Sequence, residues 1–113
     1  MLLKLKFAFV NEAAEKEYKK LPENIQYEFG KNLGRIQLKE KPTLSIKYLD
    51  AIGQGVIELR KNGSPAYRCV YIAKYMDTVF VLHSFEKTTN HTDKQAMKVA
   101  EQRFKELLAE LRH

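Results

Sequence analysis

Apolar and polar residues alternate at the start of the chain. Over residues 2–10, one side carries Leu3, Leu5, Phe7 and Phe9, and the other carries Lys4, Lys6 and Ala8. A period of two residues is typical of a strand with one face on a core and the other in solvent. The pattern therefore predicts a half-buried first strand.

Two segments with helical periodicity follow. Asn11 is suited to cap the first helix, in which acidic residues precede lysines as the helix dipole favours. The second helix is predicted to begin at Pro22, which suits a first helical turn. Its buried face is predicted to be Ile25, Phe29, Leu33 and Ile36. Joined at Leu21 and Pro22, the two helices form a helical hairpin.

Gly30 and Gly34 lie one turn apart in the second predicted helix. Each glycine costs about 1 kcal/mol in a helix interior relative to alanine. Close approach of the first helix would compensate for that cost, and a merely weak helix is the alternative.

Three runs rich in β-branched and aromatic residues lie between Gly55 and Lys87. They are GVIELR, AYRCVYIAKY and TVFVLHSFEK, separated by the turn signals KNGSP and MD. Such runs predict three consecutive antiparallel strands. Residues 39–54, just before them, contain a proline, several lysines and no sustained period, and are predicted to form a loop.

A last helix is predicted after the strands. Thr92 and Gln95 match a capping box. The helical stripe that follows is Ala96, Ala100, Phe104, Leu107 and Leu111. The element order is then β-α-α-β-β-β-α, an α+β fold in which an antiparallel sheet packs against the N-terminal helical hairpin and the C-terminal helix. Residues 1–113 are interpreted as a single domain.

Composition and charge narrow the class of partner. The chain is 44% hydrophobic and 30% charged, and its formal net charge is +6. That charge favours an anionic partner, of which nucleic acid is the commonest. Cys69 is the only cysteine, which excludes an internal disulfide, and it is predicted to be a buried apolar residue. No apolar run approaches membrane-spanning length, and a cytoplasmic protein is expected.

Each predicted strand carries a cation in or beside an apolar run. Arg60 ends the first, Arg68 lies near the start of the second, and Lys87 ends the third. Arginines within the most apolar part of a chain must find anions or partners. The hypothesis is that the sheet presents these cations to a phosphate. Glu58 alternates onto the face of Arg60, where an ion pair that orients the arginine is favoured over a catalytic role.

The ordered set of motifs resembles a known toxin family. KYLDAIGQGVIELR, AYRCVYIA and VLHSFEKTT precede a closing helix with AEQRFKEL. In this order they resemble the RelE/ParE superfamily of bacterial toxin–antitoxin toxins, and within it the phage-derived HigB-like branch. That branch shows an ELR strand, a YR strand, an LH-x-F-x-K-K-T segment and a final helix with A-x-x-R. The resemblance covers nearly the whole chain.

The resemblance implies a ribosome-dependent messenger RNA endoribonuclease without a cofactor. It also implies a helix-turn-helix, HigA-like antitoxin that binds the toxin in a hetero-oligomer. On matching positions Arg60, Arg68 and Lys87 become the phosphate-facing cations. The chain departs from the branch at Glu86, where a lysine is usual, and at NHTD, where a basic Q-K-T-P is common. Because of these departures, an inactive prophage remnant that only binds an antitoxin is one alternative. A ParE-like DNA gyrase poison, which shares the same fold, is another.

The general base and the RNA contacts are less specific in the sequence. His83 is a candidate base from its intrinsic pKa, with a satisfied core histidine as the alternative, and Lys87 is a second candidate. Candidate RNA-binding residues are Lys47, Tyr48, Tyr67 and His91. Packing or an exposed loop is the alternative for each of these. The three histidines and one cysteine lack the spacing of metal ligands, so no metal site is predicted.

Overall fold

The computed structural model describes residues 4–88 and 93–112. Its elements are β1 (Lys6–Phe9), α1 (Glu12–Lys19), α2 (Glu23–Gln37), β2 (Ser45–Tyr48), β3 (Val56–Lys61), β4 (Ala66–Tyr75), β5 (Thr78–Lys87) and α3 (Lys94–Leu111). The predicted α+β class is confirmed. The observed order contains one strand more than the sequence predicted, because β2 forms within the segment interpreted as a loop.

The strands form one five-stranded sheet in the order β1-β5-β4-β3-β2. Neighbours from β2 to β5 pair antiparallel, whereas β1 pairs parallel to β5. The four-residue strand β2 is an edge strand that pairs with β3, and most of its residues are exposed. An exposed edge does not impose alternation on the sequence, which explains why periodicity missed it.

The helix signals hold for α1 and α2, except that Pro22 is the N-cap residue of α2 and not part of its first turn. The Asn11 side chain accepts a hydrogen bond of 2.8 Å from the Ala14 N–H, which caps α1. The predicted face of α2, Ile25, Phe29, Leu33 and Ile36, is buried. A Cβ at Gly30 would lie 3.3 Å from the Tyr18 hydroxyl of α1, whereas one at Gly34 would meet nothing within 4 Å. The expected close approach therefore holds at Gly30 only.

Two apolar clusters lie on opposite faces of the sheet. The helical hairpin covers one, here called the hairpin face, with a core that includes Leu59, Cys69 and Val81. On the other, here called the α3 face, the buried stripe of α3 packs against Val56, Val70, Ile72 and Leu82. The described part of the chain contains no helix that is long and apolar enough to cross a membrane.

The start of α3 differs from its predicted cap. The Asp93 side chain accepts a hydrogen bond of 3.1 Å from the Ala96 N–H and so caps the helix. Thr92, the predicted cap, lies outside the described residues. Of the predicted stripe, Ala96, Ala100, Phe104 and Leu107 are buried and Leu111 is partly buried.

Candidate functional site: a cationic cluster around a buried glutamate

Four strands bring cations to one place on the α3 face. In the sheet register Lys47 pairs with Glu58 and Arg60 pairs with Arg68. Side chains directly opposite each other on neighbouring strands share a face. A cavity of about 30 Å³ is lined by Lys47, Leu49, Glu58, Arg60, Arg68, Phe85, Lys87, Asp93 and Met97. The first two residues belong to β2 and the chain just after it, and the last two to the start of α3.

Arg60 and Arg68 are direct cross-strand partners. Like charges in this arrangement destabilise a sheet. Glu58 offsets the repulsion, since its Oε1 lies 3.6 Å from the Nε of each arginine. The Glu58 and Arg68 side chains are only 7% and 4% exposed, and Arg60 is 35% exposed. The predicted ion pair of Glu58 and Arg60 is confirmed, and Arg68 joins it.

The two guanidinium groups have different surroundings. Arg68 donates from Nη1 to the Tyr67 carbonyl at 3.0 Å. Burial lowers the pKa of Arg68, Glu58 opposes that shift, and the charge of Arg60 adds to it. Among the described residues, the buried Nε of Arg60 has no hydrogen-bond partner. A buried donor without a partner costs free energy, which an anion bound at this point would recover.

Glu58 is a carboxylate in a cationic surrounding, yet its pKa is raised. Burial is the largest cause, and the charges of Arg68, Arg60, Lys47 and Lys87 oppose it without cancelling it. A carboxyl group with a raised pKa takes up and releases a proton more readily near pH 7 than an ordinary carboxyl group does. The cluster therefore combines fixed positive charge with one group suited to proton transfer.

A polar groove adjoins the cluster. It has a volume of about 520 Å³ and is lined by residues 62–65 of the turn between β3 and β4, by Ala66 and Arg68 of β4, and by Lys87 and Thr88. Arg68 and Lys87 line both this groove and the small cavity. An elongated anion in the groove would thus meet two cations of the cluster.

His83 does not itself line the small cavity, but its ring stacks on Phe85, which does, with the centroids 4.9 Å apart. Its Nδ1 is 2.8 Å from Glu17 Oε1. Arg103 holds the same carboxylate with Nη1 at 2.6 Å and Nη2 at 2.8 Å. Burial acts to raise the pKa of Glu17, but hydrogen bonds from His83 and Arg103 lower it to about 2. An ionised Glu17 can only accept, so His83 Nδ1 donates.

The other predicted RNA contacts fall in different places. Lys47 belongs to the cluster, whereas Tyr48 is 62% exposed and pairs with Ile57, which places it on the hairpin face. Tyr67 is buried in the core on the hairpin face, so the structure does not bring it to the cluster. His91 lies outside the described residues.

Glu86 also points away from the cluster. It pairs in register with Tyr67 and hydrogen-bonds that side chain. Alternation along β5 therefore puts it on the hairpin face, opposite Phe85 and Lys87. The unusual glutamate does not add its charge to the face that carries the arginines.

Sequence reasoning missed the contributions of Phe85, Asp93 and Met97. Phe85 could be placed by alternation with Lys87, and Met97 follows Asp93 by one helical turn. Their convergence depends on how α3 crosses the sheet, which no local pattern encodes. Within the described ranges, no three His, Cys, Asp or Glu side chains come together in a way that could hold a metal ion.

Comparison with known proteins gives one family. The model of the family described as Phage derived protein Gp49-like (DUF891) matches residues 16–105, which include every described residue of the cluster. No curated protein is significantly similar in sequence to the chain.

Proposed function

This chain belongs to the phage-derived Gp49-like family, and on that basis we propose that it is the toxin of a type II toxin–antitoxin system. Its family is associated with RelE-like toxins. The activity proposed is ribosome-dependent cleavage of messenger RNA, of the RelE/HigB kind. The observation that carries the proposal is the Arg60–Arg68 pair, held opposite each other around the buried carboxylate of Glu58.

Phosphodiester cleavage by the neighbouring 2′-hydroxyl suits this arrangement. The 2′-oxygen forms a bond to phosphorus, the bond from phosphorus to the 5′-oxygen breaks, and a 2′,3′-cyclic phosphate remains. Negative charge grows on the non-bridging oxygens during the attack. Arg60 and Arg68 are placed to hold those oxygens, since a guanidinium grips two oxygens and stays protonated at neutral pH. Losing one such contact typically costs about 100-fold to 1000-fold in rate.

Glu58 is the proposed general base. It lies between the arginines that hold the phosphate, and its raised pKa brings it closer to neutral pH. The proton of the attacking 2′-hydroxyl goes to its carboxylate. Lys87, which lines the same cavity, is the proposed acid that protonates the departing 5′-oxygen. His83 is left outside the reacting group, because it is committed to Glu17 through Nδ1 and does not line that cavity.

The partners proposed are the ribosome with its messenger, and a helix-turn-helix antitoxin that blocks the toxin in a hetero-oligomer. The cluster is reached from the polar groove, so an extended messenger segment would need to be presented along that groove. A ribosomal A site supplies an extended messenger of this kind. The net charge of +6 favours association with the ribosome surface.

Expression in a sensitive bacterial host tests this proposal. Wild type, the double variant Arg60→Ala with Arg68→Ala, and Arg112→Ala would be induced, and messenger 5′ ends would be mapped while DNA supercoiling is followed. Arg112 is an exposed arginine at the end of α3, outside the cluster, and serves as the matched control. New 5′ ends within translated frames are expected for wild type and the control, but not for the double variant.

Two other outcomes would point elsewhere. Growth arrest with intact messengers and altered DNA topology would move the protein to the gyrase-poison class. Absence of any arrest would indicate a remnant that only binds an antitoxin.

A further inference from the structure

A broad groove crosses the hairpin face of the sheet, on the side opposite to the arginines. It has a volume of about 830 Å³. Part of its lining comes from Ile36 of α2 and from residues 39–42, which follow that helix. Lys74, near the end of β4, and Asp77, in the turn after β4, also line it. The name hairpin-face groove is used for it below.

The sheet contributes an apolar row to the groove. Tyr48 of β2 pairs in register with Ile57 of β3, and Ile57 pairs with Tyr71 of β4. Directly opposite side chains share a face of the sheet, so these three form a row across the strands. All three line the groove, and so does Leu5, next to the start of β1. The hairpin-face groove therefore runs across the strands and not along them.

The length of the groove suits a helix. β1 and β2 are the two outer strands of the sheet, four strand spacings apart. At about 4.8 Å for each spacing, the groove extends over about 19 Å. A helix rises about 1.5 Å per residue, so a helix of about 13 residues covers this distance. The helix α2 already packs on the same face of the sheet, where its buried side chains join the apolar core.

Exposed apolar side chains surround the groove. Tyr48, which lines it, is 62% exposed. Leu38 and Met76 are also exposed, and each is next in the chain to a residue that lines the groove. Large apolar side chains that are exposed together around one groove are typical of a surface that contacts another protein. A partner helix with an apolar stripe would bury them, in the way that amphipathic helices bind to grooves.

The charges around the groove select an acidic partner. Three exposed lysines line it, Lys39, Lys41 and Lys74, against the two carboxylates of Glu40 and Asp77. Glu40 is already paired, since its Oε1 lies 3.7 Å from Nη1 of Arg35. Charges across an interface tend to be complementary, so acidic residues are expected beside the apolar stripe of the partner.

We propose that the hairpin-face groove binds an acidic amphipathic helix of a partner protein. In the proposed toxin–antitoxin pair this helix belongs to the antitoxin, and only that assignment rests on the proposed function. The groove and the cationic cluster lie on opposite faces of the sheet, so the helix does not occupy the place of the phosphate.

A peptide library tests the proposal without knowledge of the partner's sequence. Phage would display helical peptides of about 13 residues, with apolar residues at a helical spacing and random residues elsewhere, for selection on the purified protein. Peptides with Asp and Glu at the random positions are expected to be enriched. The affinity of an enriched peptide, measured by fluorescence anisotropy, should fall as the salt concentration rises.

Matched variants test whether the peptide lies in the groove. Tyr48→Ala should lower the affinity about tenfold, a loss typical of an aromatic side chain at an interface. Tyr27→Ala, at an exposed tyrosine of α2 outside the groove, should not change it. Lys41→Glu should weaken binding about threefold, whereas Lys98→Glu makes the same change of charge on α3 and should have no such effect. All four side chains are exposed, so each variant is expected to fold.

The outcomes separate this groove from the proposed nuclease. The double variant Arg60→Ala with Arg68→Ala should bind the peptide like the wild type, so peptide binding supports the groove even when no messenger is cleaved. No enrichment over the starting library, or enrichment of peptides without an acidic excess, would overturn the proposal. So would equal effects of the two tyrosine variants, or of the two lysine variants, because the peptide would then bind elsewhere or through net charge alone.

Discussion

At the scale of single residues, the arginine pair is the feature that local stability does not explain. Opposite strands place Arg60 and Arg68 directly across from each other, and a buried Nε of Arg60 has no hydrogen-bond partner among the described residues. Such departures from the rules of sheet pairing concentrate at functional sites. Glu58 contributes stability by pairing with both arginines, and the same contacts hold both side chains at the small cavity.

Glu58→Gln tests the role of the carboxylate. The variant keeps the size of the side chain but cannot take up a proton, so the cleavage rate should fall by about 100-fold or more. In the wild type, burial raises the pKa of Glu58, so the rate should drop as pH falls through that raised value. The variant should lose this acidic limb of the pH–rate profile.

His83→Asn is the comparison. It removes the imidazole that donates to Glu17, and it should affect stability more than the rate of cleavage. If the acidic limb of the pH–rate profile persists in Glu58→Gln and is lost in His83→Asn, then His83 and not Glu58 is the general base.

The cations of the site could be predicted from the sequence, whereas the hydrogen-bond partner of His83 could not. Arg60, Arg68 and Lys87 each interrupt or end an apolar run, a local signal that points to a partner. His83 lies in an equally apolar run, but its partner Glu17 comes from α1, and Arg103, which holds the same carboxylate, comes from α3. Only the packed structure shows that they meet.

At the scale of elements, Glu17 joins three parts of the fold. Its carboxylate on α1 is held by His83 of β5 and Arg103 of α3, and Arg103 also donates to the Leu82 carbonyl at 3.0 Å. Met97, on the same helix as Arg103, lines the small cavity of the cluster. The junction at Glu17 therefore helps to fix the helix that borders the cluster.

Glu17→Gln should destabilise the protein by about 1–3 kcal/mol at neutral pH, since it leaves Arg103 without its charged partner. The pKa of Glu17 is lowered to about 2 in the folded protein, from an ordinary 4.5. Stability from an acid with a lowered pKa is present above the unfolded value and is lost as pH falls through the folded value. Urea unfolding should therefore show a difference between variant and wild type that is largest above pH 5 and shrinks toward pH 2.

Glu12→Gln supplies the control for this measurement. Glu12 pairs with Lys16 on the exposed side of α1, and both side chains are largely exposed. Exposed pairs contribute little, so the change in stability should stay below about 0.5 kcal/mol. Equal losses in the two variants at every pH would show that Glu17 does not join the elements as described.

Gly53 sets how closely α3 approaches the turn before β3. A Cβ at this position would overlap the ring of Phe104, which is 7% exposed within the apolar cluster of the α3 face. Gly53→Ala should lower the free energy of unfolding by about 1–3 kcal/mol, the usual cost of overpacking. Gly34→Ala should instead raise it by up to about 1 kcal/mol, since that helical position has open space. Thermal unfolding should show a lower melting temperature for Gly53→Ala and an unchanged or higher one for Gly34→Ala.

Elements with strong periodicity could be predicted from the sequence, and the short edge strand could not. The buried faces of α2 and α3 follow from the helical spacing of their apolar residues, which can be seen in the sequence without knowing how the helices pack. β2 gains its structure from β3 alone, and its residues Ser45–Tyr48 carry little apolar pattern. Missing β2 also hid the reason why Lys47 faces the arginines, which is its pairing with Glu58.

At the scale of the whole molecule, basic charge and open clefts meet at one end of the α3 face. The polar groove and the cationic cluster adjoin each other through two shared residues, Arg68 and Lys87. The net charge predicted an anionic partner but not where it would bind. The sheet order brings β2, β3, β4 and β5 side by side and so gathers the cations of the proposed phosphate site.

The most direct test of the central claim is single-turnover cleavage of a defined messenger in stalled, purified ribosomes. The wild type and Arg112→Ala should cut the messenger within the A-site codon and leave a 2′,3′-cyclic phosphate. Arg68→Ala should be slower by about 100-fold to 1000-fold, because it loses a contact to the charge that grows on the phosphate. An uncut messenger with the wild type, or equal rates for Arg68→Ala and the wild type, would contradict the assignment.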